Sequence, residues 1–478
     1  MKNKVGTAII TAALGAMGSA ASAIAADWDI NPYIELQETY TDDVDLDSNL
    51  PQSDFVTVAT VGTNILTDGP RFDLNLNYEL THLFYPSLEG DERSEFRHNL
   101  QADSQSIIVR DLVFFDTSAG ITQQFIDRRA AFSNTGISTT DNRGTVTLVN
   151  ASPYVRNRIN GSFATLETRY TYNYVHVGES VDFDGDVINP FSSQFHTANV
   201  TLESGPRFTR LTWALDNLYR NETSSAGRNV DIYTSVASSE YQINRTVAAI
   251  GSVGYSKRDA NVGGFENFDG LVWTIGARLT PGPRTIIEGT YGKDFIGNTW
   301  NLDASYRVTP FITATLGYFE RYQSFAEIAL ANLQDGGLNN GGGLQQNPIN
   351  DDFVRQKEWR ASILGVRGRS TIALTARRIA STTEDPDTTF VRETIGLVWT
   401  RQLSPQLDLT VGGNLFQDDF VLNPQRDQFI SGTVRLDYQV SANITTALEY
   451  IHSRRKQIEF NFVPRKSNYI SISARYTF

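Results

Sequence analysis

Ile470-Ser471-Ile472-Ser473-Ala474-Arg475-Tyr476-Thr477-Phe478 closes the chain, and its reading decides the fold. Even positions are apolar and odd ones polar, the period-2 alternation of a strand with one apolar and one polar face. Working outward, Ile430, Gly432, Val434, Leu436 and Tyr438 alternate with Ser431, Thr433, Arg435 and Asp437, and Leu407, Leu409 and Val411 with Asp408 and Thr410. Near the other end Phe72, Leu74, Leu76, Tyr78 and Leu80 alternate with Asp73, Asn75, Asn77 and Glu79. Alternation alone fits either a soluble sandwich, whose polar face meets water, or a membrane barrel, whose apolar face meets lipid.

The connections separate the two. Tight turns at Thr67 to Pro70, Ser204 to Pro206, Thr280 to Pro283, Thr309-Pro310, Leu403 to Pro405 and Gln439 to Asn443 alternate with long polar stretches. The long stretches include 41–53, 127–142, 178–193, 322–354, 380–389, 417–428 and 454–466. Counted back from Phe478, every tight turn falls on the side where the chain ends, the periplasmic side of a bacterial barrel, and the long stretches fall outside. A 37-residue step from Val366 to Leu403 to Val440 marks a hairpin repeat; a propeller is the best soluble alternative.

The two chain ends agree. Lys2 and Lys4, an apolar run from Val5 to about Met17 and the small residues Ala23-Ile24-Ala25 have the layout of a cleavable export signal. The last strand resembles the terminal signal by which outer-membrane barrels are recognised for assembly, carried by Ile470, Ile472, Ala474, Tyr476 and Phe478. The expected fold is an all-β, transmembrane, antiparallel up-and-down β-barrel of about 22 strands within a range of roughly 18 to 22, from a first strand at 29–40 to a last at 467–478. Residues 1–25 are the signal peptide and 26–478 the barrel. The first strand follows the cleavage site so closely that no plug domain is expected.

Composition excludes several classes. The chain has no cysteine, so neither disulfides nor a thiol site is available, and a net charge of -13 argues against a nucleic-acid partner. Its 27 Phe, 20 Tyr and 36 Gly suit strands and turns. Mean hydropathy of -0.30 does not argue for a soluble protein, because a polar lumen hides the lipid face from any averaging window.

Alternation assigns charged residues to the lumen: Glu35, Asp73, Glu79, Arg97, Glu167, Arg169, Asp303, Arg377, Asp408, Arg435, Asp437, Glu449 and Arg475. A charge facing lipid near mid-bilayer costs about 2–4 kcal/mol for Arg or Lys, so confinement to one face is required. These residues either line a solute pathway or form ion pairs that stiffen the wall. Trp28, Tyr85, Tyr219, Trp273, Trp300, Tyr306, Trp359, Trp399, Tyr438 and Tyr476 are expected in interfacial girdles.

Acidic clusters stand in the long connections: Asp42, Asp43, Asp45 and Asp47; Asp182, Asp184 and Asp186; Glu384, Asp385 and Asp387; Asp418 and Asp419. Alternate oxygen ligands suit hard cations. None has the glycine placement of a helix-loop-helix calcium site, and solvated loop charge is the ordinary explanation, so no metal and no cofactor is expected. His82, His98, His176, His196 and His452 are scattered; His82 and His98 face each other across one hairpin, without a nucleophile elbow or zinc spacing. The segment 322–354, rich in Gly and Asn, either folds into the mouth as a constriction or lies outside as a lid.

The export signal, the barrel that begins directly after it, the acidic outer loops and the aromatic C-terminus together resemble the β-barrel porin type 2 family along the whole mature chain. That resemblance implies an outer-membrane channel or conduit associated with exopolysaccharide or capsule export, working with periplasmic polysaccharide-export proteins. The expected surroundings are the outer-membrane lipid and lipopolysaccharide of a Gram-negative bacterium, reached through the barrel assembly machinery. The alternatives are a general or substrate-selective uptake porin for small solutes and an outer-membrane hydrolase; an enzyme is not the expectation.

Overall fold

The computed structural model describes residues 27–46, 51–125, 133, 135–140, 142–181, 187–261, 267–334, 353–383, 389–421, 426–457 and 464–478. The export segment 1–25 lies outside the described residues, as do Asp47, the cluster from Asp182 to Asp186 and that from Glu384 to Asp387.

A single 22-stranded antiparallel sheet closes on itself. Its strands are β1 Asp27–Thr41, β2 Asp54–Asp68, β3 Phe72–Phe84, β4 Ser94–Val109, β5 Val113–Phe125, β6 Arg143–Ile159, β7 Ala164–Val177 and β8 Phe191–Ser204. They continue with β9 Leu211–Ser224, β10 Asn229–Gln242, β11 Val247–Ala260, β12 Phe268–Gly282, β13 Thr285–Asp294, β14 Gly297–Thr309 and β15 Ile312–Ser324. The last seven are β16 Phe353–Arg367, β17 Ser370–Thr383, β18 Phe390–Ser404, β19 Leu407–Phe420, β20 Arg426–Gln439, β21 Ile444–Gln457 and β22 Arg465–Thr477. Each pairs with its sequence neighbours, and β1 pairs with β22 from Tyr33↔Thr477 to Thr41↔Tyr469, which removes the edges an open sheet would leave. Among the described residues no separate domain fills the lumen, and no helix is long and apolar enough to cross a membrane.

One face of the sheet points outward and is apolar. Ile34, Leu36, Val61, Leu271, Ile275 and Ile472 are all exposed. An apolar belt of this extent facing water would be an aggregation surface; facing lipid it is the barrel's solvent contact. The strands outrun that belt. A 14-residue strand is about 46 Å long at ~3.3 Å per residue, hence about 35 Å along the membrane normal at a tilt near 40°, against an apolar band of about 25 Å.

The excess lies on the long-loop side, where outward charges appear in pairs. Lys257–Asp259 (2.7 Å), Arg378–Glu393 (3.2 Å), Arg355–Glu320 (3.2 Å) and Arg426–Asp419 (2.6 Å) stand there. Confinement of charge to the lumen face therefore holds within the apolar belt and lapses above it, where water is available. Just below these pairs run the girdle aromatics: Tyr291 packs between Trp300 (4.3 Å) and Trp273 (5.8 Å), and Tyr318 against Trp359 (4.6 Å). Tyr85 departs from the expectation: it is fully buried inside the outer mouth, because it continues the odd-numbered, lumen-facing positions of β3 beyond Glu79 and Leu83 and packs beside Leu83 and Val44.

The turn side is tightly made. Asp111, Asn160, Gly161 and Gly368 take left-handed backbone conformations there, and the register shifts beside Ile107, Leu279, Arg307 and Gln402 are bulges next to such turns. The buried apolar clusters, in contrast, gather at the long-loop end. The packed part of this molecule is its outer mouth.

Candidate functional site

The lumen wall carries a chain of ion pairs across neighbouring strands. Arg475 of β22 donates to Glu35 of β1 at 2.7 Å, so this pair spans the closure of the barrel. Its guanidinium lies over the Tyr33 ring at 4.2 Å, and the Tyr33 hydroxyl donates to Glu79 at 2.6 Å. Tyr33 can lie flat because Gly62 stands beneath it; a Cβ there would come within 2.4 Å of the ring. Further round, Arg169 donates to Glu167 (2.9 Å) and Asp116 (3.0 Å), while Arg156 reaches the other oxygen of Glu167 at 2.6 Å.

Arg435 pairs with Asp437 at 2.9 Å and approaches Glu449 at 3.8 Å; Asp408 stands opposite Asp437 in the register. Arg377 donates to Glu358 at 2.7 Å, Asp303 lies 3.6 Å from Arg360, and Arg97 donates to Glu95 at 2.7 Å. By register all of these share the face opposite the apolar belt.

At the turn end of β1 to β5 the wall holds a recess of about 770 Å³ lined by Asp27, Asp29, Asp68, Asp73, Asp103 and Asp116. Arg169 holds Asp116; among the described residues the other five form no ion pair. This sector makes the local field negative, since carboxylates on neighbouring strands add at separations below the Debye length of about 8–10 Å.

The outer end is narrowed from two sides. Between β15 and β16 the chain forms a helix, α1, over Phe325–Gln334. Ser324 accepts from the Glu327 amide at 3.3 Å and the Glu327 carboxylate accepts from the Ser324 amide at 2.8 Å, a reciprocal capping box. Glu327 also pairs with Arg220 of β9. The apolar face of α1, Phe325, Ala326, Ala329 and Leu330, packs onto Val146, Leu148, Val175, Val177, Phe191 and Phe195 of β6, β7 and β8. Seven strands lie between β7 and β15 around the ring and eight between β6 and β15, so α1 reaches over the lumen to a distant part of the wall.

Of the two placements open for 322–354, its described start folds into the mouth; 335–352 lie outside the described residues. On the other side Val44 of the first outer loop packs on Val56, Leu83, Tyr85, Ile137 and Tyr469.

The five histidines stand on the outward face instead. His82 stacks on Phe96 (4.4 Å) and contacts Ser94 Oγ at 2.7 Å. The hydroxyls of Tyr78 and Tyr170 meet His98 and His196 at 2.8 and 2.7 Å, and His452 meets Asn468 at 2.8 Å. His82 and His98 are diagonal neighbours of one hairpin, each with its own polar partner.

No family model matches the chain, and no curated protein matches it either. The likeness to the β-barrel porin type 2 family therefore rests on the sequence features alone. Solved structures do match. The FrpB iron transporter from Neisseria meningitidis superposes with a TM-score of 0.55 at 10% identity, over 94% of this chain and 83% of that one. The siderophore receptor PirA from Acinetobacter baumannii gives 0.55 at 7% identity, over 94% and 80%. The ferric-catecholate import receptor Fiu from E. coli K12, closed form, gives 0.55 at 10% identity, over 94% and 82%. At such identities the likeness is one of fold, that of a large closed β-barrel.

Proposed function

We propose that the barrel is a passage through the outer membrane whose traffic is limited at the outer mouth by α1. The observation that carries this reading is the placement of α1 across a wide, ion-lined lumen, docked onto the barrel wall by an apolar face and one ion pair. A ring of about 22 strands encloses more space than wall side chains fill, so an element that narrows it controls what passes. The protein acts as a conduit and not as a catalyst.

The cargo we favour is a neutral polysaccharide leaving the cell, in keeping with the porin-like sequence features, with periplasmic export proteins delivering the polymer and lipopolysaccharide surrounding the barrel. The unpaired carboxylates of the recess weigh against a strongly anionic polymer entering from the periplasm. Uptake of a small solute, iron chelates included, is the second reading, favoured by the receptor-like barrel. A deletion strain separates the two: export predicts polymer retained in the periplasm and lost from the surface with normal growth on small solutes, and uptake predicts the reverse.

A further inference from the structure

Outward cations of the upper rim stand in pairs with acids at Lys257, Arg378 and Arg426, and one sector departs from this. Arg454 and Lys456 of β21 and Lys466 of β22 are exposed on the lipid-facing side of the wall. Register fixes that side. Arg454 lies between Ile430 of β20 and Lys466 of β22, and Lys456 lies opposite Gln428, while the intervening Arg455 turns inward and donates to Asp427 at 2.8 Å. Two cations directly opposite each other on one face repel. Among the described residues no carboxylate pairs with any of the three, although the neighbouring Arg426 of β20 is held by Asp419 at 2.6 Å.

The polar groups just below the three cations are already committed. Asn468 Oδ1 accepts from the Tyr450 hydroxyl at 2.9 Å and meets His452 Nδ1 at 2.8 Å. The backbone and side-chain amides of Asn468 donate to Asp42 at 2.7 and 2.5 Å, which occupies the acid that the first outer loop brings to this face. Beneath lie Tyr450, Ile470, Leu448 and Ile472, all exposed members of the apolar belt. Arg454 stands four residues beyond Tyr450, about 13 Å along the strand at ~3.3 Å per residue and about 10 Å along the membrane normal at a tilt near 40°. The three cations therefore stand in the headgroup layer, directly above the acyl chains.

We propose that Arg454, Lys456 and Lys466 bind a phosphate of the lipopolysaccharide around the barrel and so fix one lipid molecule against β20 to β22. A phosphate between Arg454 and Lys466 removes the cross-strand repulsion; the guanidinium supplies paired N–H donors and the two ammonium groups supply point charge. The acyl chains of the same lipid lie on Tyr450, Leu448, Ile470 and Ile472, so both halves of an amphiphile meet their complement on one strip of wall. A free anion matches only the upper half. The proposal rests on the outer-membrane placement of the barrel and is independent of its cargo and of α1.

The test titrates bisphosphorylated lipid A in detergent micelles into the delipidated full chain and counts bound lipid by native mass spectrometry. The expected result is one retained lipid A per barrel. Its binding should weaken at least tenfold (on the order of 1.4 kcal/mol) in the combined variant Arg454→Gln, Lys456→Gln, Lys466→Gln. It should change less than about twofold in Lys257→Gln, Arg378→Gln, Arg426→Gln, which removes the same charge from paired positions of the rim. Boiling-dependent gel migration shows that each variant is a folded barrel. As a second readout, lipid A should raise the unfolding temperature of the wild type and not that of the first variant. Absence of a retained lipid, equal binding by the two variants, equal binding of lipid A stripped of its phosphates, or displacement by millimolar inorganic phosphate would each overturn the proposal. Equal binding by the variants would mean diffuse attraction, binding without phosphates would assign the lipid to the apolar belt alone, and displacement would make the occupant a free anion.

Discussion

Loosening α1 should open the channel without unfolding the barrel. Phe325 and Leu330 are 2% and 7% exposed, and both spend that burial on β6 to β8 across the lumen. Truncating a buried Leu to Ala costs about 2–5 kcal/mol and a Phe about 3–5 kcal/mol, with the low end expected where the surroundings can relax. At about 2–3 kcal/mol, either single variant shifts the docked-to-released ratio by roughly 30- to 150-fold. A ten-residue helix has no stability of its own to resist release.

The double variant should leave α1 largely undocked, although two residues in one cluster need not add. In planar bilayers the singles should show brief high-conductance openings and the double a sustained higher conductance, with boiling-dependent gel migration unchanged. If the double variant becomes protease-sensitive within 325–334, showing that α1 is released, and conductance stays at the wild-type value, α1 is not the constriction.

Deleting Phe478, or changing it to Asp, should reduce insertion into the outer membrane much more than Arg475→Ala does. Phe478 is exposed, packs edge-on against Tyr476 at 5.0 Å and is available to be read, whereas Arg475 faces the lumen; equal insertion would refute this. Neutralising Asp27, Asp29, Asp68, Asp73 and Asp103 together to Asn should lower cation-over-anion selectivity, measured as reversal potential in a salt gradient, and do so most at low ionic strength. Asp427→Ala should lower the unfolding temperature more than Asp437→Ala. Arg455 and Asp427 are a nearly fully buried pair at 2.8 Å, where breaking one partner costs about 3–5 kcal/mol, while the Arg435–Asp437 pair is part-exposed.

The wall of the barrel was legible in the sequence because period-2 alternation is local. Each of the 22 expected segments, from 29–40 to 467–478, has its strand in the structure, with boundaries displaced by up to five residues: 93–104 and 143–154 run on at the turn end to Val109 and Ile159, and 207–219 runs on at the outer end to Ser224. What was not legible depends on closure. The acidic recess gathers Asp27 through Asp116 from five strands, a neighbourhood that no spacing in one strand reveals.

α1 was hidden inside a stretch read as polar loop, yet it left one local mark. Ser324-Phe325-Ala326-Glu327 is a capping box opening onto Ile328, Ala329, Leu330 and Ala331, a helical signal that the Gly- and Asn-rich remainder masks. Tyr85 stands at a strand end as a girdle residue would, yet the alternation through Glu79 and Leu83 carries it onto the lumen face, where it packs against Val44 and Leu83.

The most direct test of the central claim is solute entry into liposomes that contain the purified barrel, measured by osmotic swelling with neutral oligosaccharides of increasing length. The account predicts swelling with short sugars in the wild type and a longer size cut-off when 325–352 are replaced by a short Gly-Ser linker. Absence of swelling in both proteins, with the barrel folded and inserted, would contradict it.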